Sequence, residues 1–208
     1  VCVADDTTDA DGTTEFTYTY AWSVDGVDAG ISDNTITSDS FNRDQVVVCS
    51  VSANDGTDTG DAVSSDGLTI SNTAPSITSV TVDVSTAVAG ETITCSHEGF
   101  DDVDNDDDNS LISWMVDTSI VGTSNTISSG FKNGDTLTCI VTPFDGTDTG
   151  TPMSATVTII NTAPVVNSVS VLSSTPQTNS TVIAVVDSSD ADDETVTLSY
   201  AWYVNGAV

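Results

Sequence analysis

Leu137-Thr138-Cys139-Ile140-Val141 decides the fold. Leu137, Cys139 and Val141 share one face at a period of two, the spacing of an extended strand. Two other stretches keep the same rule. Ile93-Thr94-Cys95-Ser96-His97 puts Ile93, Cys95 and His97 on one face, and Ile112-Ser113-Trp114-Met115-Val116 does so for Ile112, Trp114 and Val116. In all three, the face chosen by the aliphatics is also the face of the cysteine or tryptophan, an agreement that marks a specified fold. Val80, Val82 and Val84 predict a strand before them, Val157 and Ile159 one after, and Asn125 to Ser129 a weaker one between. The chain is rich in β-branched residues and poor in strong helix formers, with breakers at short intervals, which suits many short strands. The expected class is all-β.

The pattern repeats, and repetition organises the chain. Asn72-Thr73-Ala74-Pro75 returns as Asn161-Thr162-Ala163-Pro164, and Asp55-Gly56-Thr57-Asp58-Thr59-Gly60 returns letter for letter as Asp145 to Gly150. Trp22, Trp114 and Trp202 follow the same interval, as do Cys49 and Cys139, and Tyr20-Ala21-Trp22 returns two intervals on as Tyr200-Ala201-Trp202. The period is about 90 residues, the size of one two-sheet sandwich with its own core. Three repeats are therefore expected: residues 1–73 without an opening strand, a complete repeat at 74–162, and an opening half at 163–208. Val1 and Val208 both fall mid-pattern, so both ends are expected to be cuts in a longer chain. The Asn-Thr-Ala-Pro segments read as linkers, because proline favours an extended crossing.

Thirty-two acidic residues face two basic ones across 208 positions, a formal charge of −30. That balance argues against nucleic acid and anionic membrane, which are held by Lys and Arg. No apolar stretch approaches the ~18 residues of a membrane span, so no membrane insertion is expected in this segment. The acids are grouped. Before the tryptophan strand stand Asp5-Asp6-Thr7-Thr8-Asp9-Ala10-Asp11, Asp101 to Asp108, and Asp187-Ser188-Ser189-Asp190-Ala191-Asp192-Asp193-Glu194. Aligned, Asp9, Asp102 and Asp190 coincide, and so do Asp11, Asp104 and Asp192. The second acidic motif carries Asp55 and Asp58, or Asp145 and Asp148.

Each of the first two repeats holds two cysteines with a tryptophan between them. Pairing Cys2 with Cys49 and Cys95 with Cys139 would put one bridge across each sandwich; the other reading is four free buried thiols. Bridges would imply an oxidising space outside the cytoplasm. The third repeat has Ile183 in the cysteine's place, so a bridge would assist the fold without being obligatory.

Cys–Trp–Cys in the second, third and sixth strands (B, C and F) resembles an immunoglobulin-like domain. The fuller pattern adds Asp-x-Asp before strand C and Tyr-x-Trp-Tyr/Ser-Val-Asn/Asp-Gly within it, as at Tyr200 to Gly206. It also has an Asp-Gly turn before the last strand and the Asn-Thr-Ala-Pro linker. Together these resemble the tandem Ig-like, PKD-type repeats of very large bacterial and archaeal surface proteins. The resemblance implies an extracellular array serving as stalk, fibre or adhesin, at the cell surface, and names no ligand. Ile112-Ser113-Trp114 departs from the Tyr-Ala-Trp of the other repeats.

In an Ig-type sandwich the B–C and F–G loops lie at one end, near chain entry. Asp102, Asp104, Asp145 and Asp148 should then converge beside Asn72 to Pro75. Two carboxylates 5 Å apart repel by roughly 0.8 kcal/mol even in water, so four at one pole call for a counter-charge. Ca²⁺ fits, taking 6–8 oxygen ligands at about 2.4 Å. The expected ligands are Asp9, Asp11, Asp55, Asp58, Asp102, Asp104, Asp145, Asp148, Asp190 and Asp192, with the ion at each repeat–repeat junction as in cadherin-like chains. The competing reading is a solvated acidic loop in a salt-adapted protein. Arg43 and Lys132 lie in one repeated turn, Phe41-Asn42-Arg43-Asp44 and Phe131-Lys132-Asn133-Gly134, facing the next repeat's acids, so a cross-junction ion pair is expected.

Other signals point to no chemistry. His97 is the only histidine, so no Ser–His–Asp arrangement recurs. The carboxylates could mimic a glycosidase pair, yet an active site should occur once and not at every repeat. Phe16, Tyr18, Tyr20 and Trp22 form an alternating stripe expected in the core, and Tyr203 is expected outside it. Asn179-Ser180-Thr181 is an N-glycosylation sequon in the A–B turn of the third repeat. The expectation is a non-enzymatic, calcium-stiffened fibre or stalk whose partners are neighbouring repeats. An adhesin with a carbohydrate, matrix or protein ligand, or accessory domains of a secreted hydrolase, stand as alternatives.

Overall fold

Alternation at Thr17-Tyr18-Thr19-Tyr20-Ala21-Trp22 builds β1 (Thr17–Val24), and the Val46 to Asn54 run builds β3 (Val46–Asn54) opposite it. The structure is a computed structural model and describes residues 1–172, 175–204 and 206; Asn205 of the third strand-C motif lies outside the described residues. The chain divides into two compact units. The first holds Val1–Pro75 with the loop segments Asp102–Asp107 and Asp145–Asp148; the second holds Ser76–Asp101, Asp108–Phe144 and Thr149–Val208.

In the first unit, β1 and β3 are joined by β2 (Val27–Asp28), β4 (Val63–Ser64) and β5 (Leu68–Thr69) in one sheet. The long antiparallel β1–β3 ladder sets Trp22 opposite Cys49. Trp22, Val47 and Cys49 are its buried centre, and the Trp22 indole donates to Asp33 O at 2.9 Å. Cys49 is bridged to Cys2.

The second unit contains the complete sandwich. Its strands are β6 (Ser79–Val82), β7 (Thr86–Val88), β8 (Ile93–Glu98), β9 (Leu111–Val116), β10 (Ser119–Gly122), β11 (Thr126–Ile127), β12 (Thr136–Thr142) and β13 (Met153–Ile160). A five-stranded sheet runs β10-β9-β12-β13-β7 and a three-stranded sheet runs β11-β8-β6. The two are stapled by Cys95 of β8 and Cys139 of β12. This is an Ig-like two-sheet sandwich with a tryptophan beside its bridge. Trp114 pairs with Cys139 across the ladder, is fully buried, and donates its indole N–H to Ser124 O at 2.9 Å. Burying such a ring removes about 200 Å² from water, about 5 kcal/mol as an upper figure. Ile93, Leu137, Val141, Val157 and Ile159 complete the core. The second unit also holds β14 (Val165–Val171) and β15 (Ala184–Ser189), paired with each other. Among the described residues there is no α-helix, and no helix is long and apolar enough to cross a membrane.

Several details differ from the sequence expectation. The opening strand divides: β6 ends at Val82 and pairs β8, whereas β7 runs parallel to β13 in the opposite sheet. Of the aromatic stripe only Trp22 is buried; Tyr18 is 37% exposed and donates to Thr7 Oγ1. The first unit has a single sheet, which leaves the far end of β1 uncovered. Tyr200, Trp202 and Ile183 are more than half exposed. The strand bearing Trp22 pairs with β3 and the strand bearing Trp114 with β12, whereas among the described residues Tyr200 to Trp202 belong to no strand.

Candidate metal centre

The Asp-x-Asp loops fold themselves. In each of three copies the first aspartate accepts the amide of the second on its own Oδ1: Asp9 from Asp11 at 2.7 Å, Asp102 from Asp104 at 2.8 Å, Asp190 from Asp192 at 2.8 Å. A tight turn follows, with Gly12, Asn105 and Asp193 donating to the carbonyls of Asp9, Asp102 and Asp190. Those three donors sit at φ 85°, 61° and 60°, a region that Gly, Asn and Asp tolerate best. The Asp-Gly-Thr-Asp loops do likewise. Asp55 Oδ1 accepts the amides of Thr57 and Asp58, and Asp145 Oδ1 those of Thr147 and Asp148 at 2.6 and 2.7 Å. Gly146 at φ 99° makes this turn possible.

With the loops folded, the remaining oxygens reach the linker. Within the first unit, Asp104 Oδ2 accepts the amide of Thr73 at 2.7 Å, while the Asn72 side chain donates to Asp145 Oδ2 at 2.8 Å and Asp148 Oδ2 at 2.9 Å. Asn72 Oδ1 in turn accepts from Arg43, whose guanidinium pairs with both oxygens of Asp106. Hydrogen bonding to Asp106 raises the Arg43 pKa against the effect of its desolvation. Burial pushes the Asp145 carboxyl up, but hydrogen bonds from Asn72 and the amides of Asp148 and Thr147 hold it below the usual carboxylate range.

The second unit repeats this clasp. Asp192 Oδ2 accepts the amide of Thr162 at 2.6 Å and Asp192 Oδ1 that of Asn133 at 2.8 Å. The Asn133 side chain donates to Glu194 and to Asn161. The amide of Thr162, ahead of opposing desolvation, lowers the pKa of the buried Asp192. Asn133, not Lys132, therefore occupies Arg43's place; aligning the turns by position instead of by charge makes this legible. Among the described residues Lys132 has no ion pair, and the pair that Arg43 makes with Asp106 lies within the first unit.

Among the described residues one group of carboxylates could hold a cation: Asp102, Asp106 and Asp145 of the first unit, each offering an oxygen within 4.8 Å of the others. Oxygens around a cation at about 2.4 Å can be at most about 4.8 Å apart, so the spacing fits Ca²⁺. Asp102 Oδ2 is buried with no hydrogen-bond partner. Three carboxylates and the Arg43 guanidinium sum to −2, the complement of a divalent ion. Asp106 was absent from the sequence-derived set; its place two residues beyond Asp104 in the same loop was the signal. Asp104 and Asp148 are turned to Thr73 and Asn72 instead. Asp9, Asp55 and Asp58 line one open cavity with Phe16, and Asp11 is not among its walls. Asp190 and Asp192 belong to the second clasp.

His97 Nε2 lies 2.8 Å from Asp108 Oδ2 and holds the B–C loop to β8. Burial pushes the Asp108 carboxyl up, while hydrogen bonds from Ser110 and His97 bring it below its ordinary value. Asn179 is exposed in the turn before β15.

No protein-family model and no curated protein matches the chain. Among solved structures it is similar to the three N-terminal domains of the bacteriophage RB49 Highly Immunogenic Outer Capsid protein, at 13% identity and TM-score 0.34 over 88% of this chain and 61% of that one. It is also similar to the FN1–FN3 domains of chicken CNTN1, at 12% identity and TM-score 0.34 over 74% and 60%. For the amphioxus IgVJ-C2 molecule the values are 16% and 0.35 over 74% and 92%. The chain thus spans about 60% of the first two. The likeness concerns the β-sandwich fold alone, and nothing about function follows from it.

Proposed function

We propose that the chain is a segment of an extracellular stalk or fibre, built of PKD-type Ig-like repeats without catalysis, in which Ca²⁺ stiffens the linker region. The observation that carries this reading is the approach of Asp102, Asp106 and Asp145 within 4.8 Å beside a linker already gripped at Asn72 and Thr73. Asp102 would supply its unpartnered Oδ2, Asp145 and Asp106 one oxygen each, with Arg43 holding Asp106 in place. Two disulfides support placement in an oxidising compartment. An array of this kind has a stability summed over repeats and nearest-neighbour terms, so an ion held beside the Asn72–Thr73 linker would add to one such term. Its partners are neighbouring repeats.

Calorimetric titration of the chain with CaCl2 tests the reading. Saturable binding that is lost in Asp102→Asn supports it; no heat above dilution for the intact chain refutes it.

A further inference from the structure

In a chain of charge −30, the five-stranded sheet β10-β9-β12-β13-β7 carries no Asp, Glu, Lys, Arg or His in any strand. Its outward face can be read from register. Leu137, Cys139 and Val141 point inward with Val116, Trp114 and Ile112, so Thr138, Ile140 and Thr142 point outward with Met115, Ser113 and Leu111. Ile120 sits beside Met115, and Thr156 beside Thr138, giving the row Ile120–Met115–Thr138–Thr156 across four strands. Leu111 and Ile120 are 56% and 64% exposed. The first unit sorts its residues alike. Thr17, Thr19, Ala21 and Ser23 of β1 and Val48, Ser50 and Ser52 of β3 form its outward face, with Asp28 on edge strand β2 the only charge.

Outward sheet faces are where a sandwich ordinarily carries charge, and lone exposed apolar residues need no explanation. A whole face free of carboxylates in so acidic a chain does need one. We infer that the outward face of β10-β9-β12-β13 packs against the same face of a second copy of this chain. The charge distribution selects that partner. A basic protein would be drawn to the acidic loops and not to this face, whereas two copies can meet here without dehydrating a carboxylate. A face of hydroxyl rows and aliphatic side chains is also compatible with itself about a two-fold axis. Four strands at about 4.8 Å spacing and some 20 Å long offer roughly 400 Å² per copy, so a pair buries about 800 Å², short of the ~1,200 Å² of stable complexes. Association through one sandwich is therefore weak and grows with the number of repeats aligned. This deepens the stalk reading by naming its lateral neighbour, but the association itself does not require calcium.

Sedimentation velocity in EDTA, over a concentration series at 0.01 M and 1 M NaCl, tests it. The acidic loops repel across a screening length of about 30 Å at the lower salt and about 3 Å at the higher. The expected result is a monomer at low salt and a concentration-dependent dimer at high salt, with dissociation at least tenfold easier in Ile120→Glu and in Thr138→Glu. Circular dichroism verifies that each variant is folded. Thr81→Glu, exposed on β6 of the other sheet, leaves the dimer intact. A monomer at every salt and concentration overturns the inference, as does a dimer indifferent to both face variants or equally weakened by Thr81→Glu. Because EDTA is present throughout, a failed calcium titration leaves this result unaffected, and the converse holds too.

Discussion

The main-chain amide of Thr162 donates to Asp192 Oδ2 at 2.6 Å, the same contact that Thr73 makes with Asp104 at 2.7 Å. Two linkers of identical sequence are thus each held by the second aspartate of an Asp-x-Asp loop, whose first aspartate folds the loop. The motif has a structural role before any ion is considered.

Replacing that second aspartate should free the linker without disturbing the core. In Asp192→Ala, hydrogen exchange at the Thr162 amide is expected to quicken about tenfold, the loss of one hydrogen bond to a charged acceptor. Exchange at Leu137, inside the β12 ladder, should stay as it was. Equal acceleration at both positions would mean that the loop supports the whole sandwich.

The pH response follows from the same carboxylate. Its pKa is lowered in the folded state, so its stabilisation is complete above the unfolded value of about 3.9 and disappears as pH falls through the folded one. General repulsion among the acids changes with pH as well, so the informative quantity is the difference between the native chain and Asp192→Asn. That difference should be constant from neutral pH to about pH 5 and shrink toward zero in stronger acid. A difference that grew on acidification would contradict the assignment. Denaturant midpoints at each pH supply the measurement.

The bridges close loops with sequence separations of 47 and 44 residues. Removing either by paired Cys→Ala substitution is expected to lower stability by about 4 kcal/mol in the chain-entropy account. Guanidinium titration with separate tryptophan signals would show the loss confined to the unit whose bridge is gone.

The alternation in β12 can be tested residue by residue. Leu137→Ala should destabilise by about 2–5 kcal/mol, since the side chain is fully buried, and Thr138→Ala by under about 0.5 kcal/mol. Similar effects at the two positions would mean that the facing is misassigned.

Much of this was legible in sequence because local rules and tertiary rules coincide there. Period-two alternation, the cysteine phase and the tryptophan phase all selected the same inward face in β8, β9 and β12, and both bridges followed. The division of the opening strand into β6 and β7 was hidden, because Val80, Val82 and Val84 alternate as an unbroken strand would; only the pairing of Thr86–Val88 with β13 reveals the switch of sheet. Tyr18 was misjudged because alternation names a face but cannot say whether anything covers it. The aspartates behaved similarly. Composition and loop placement marked the acidic pole, yet whether Asp104 turns to a backbone amide and Asp106 to a guanidinium depends on turns such as that at Asn105, φ 61°. Residue type alone could not divide folding from ligand-holding carboxylates.

Thermal unfolding at constant ionic strength, with CaCl2 and with EDTA, is the most direct trial of the ion-holding group at Asp102, Asp106 and Asp145. Calcium at 100 times its dissociation constant should add about 2.7 kcal/mol to the unfolding of the first unit. Most of that gain should vanish in Asp102→Asn. An identical midpoint in the two buffers, or an equal calcium shift in the variant, would contradict the account.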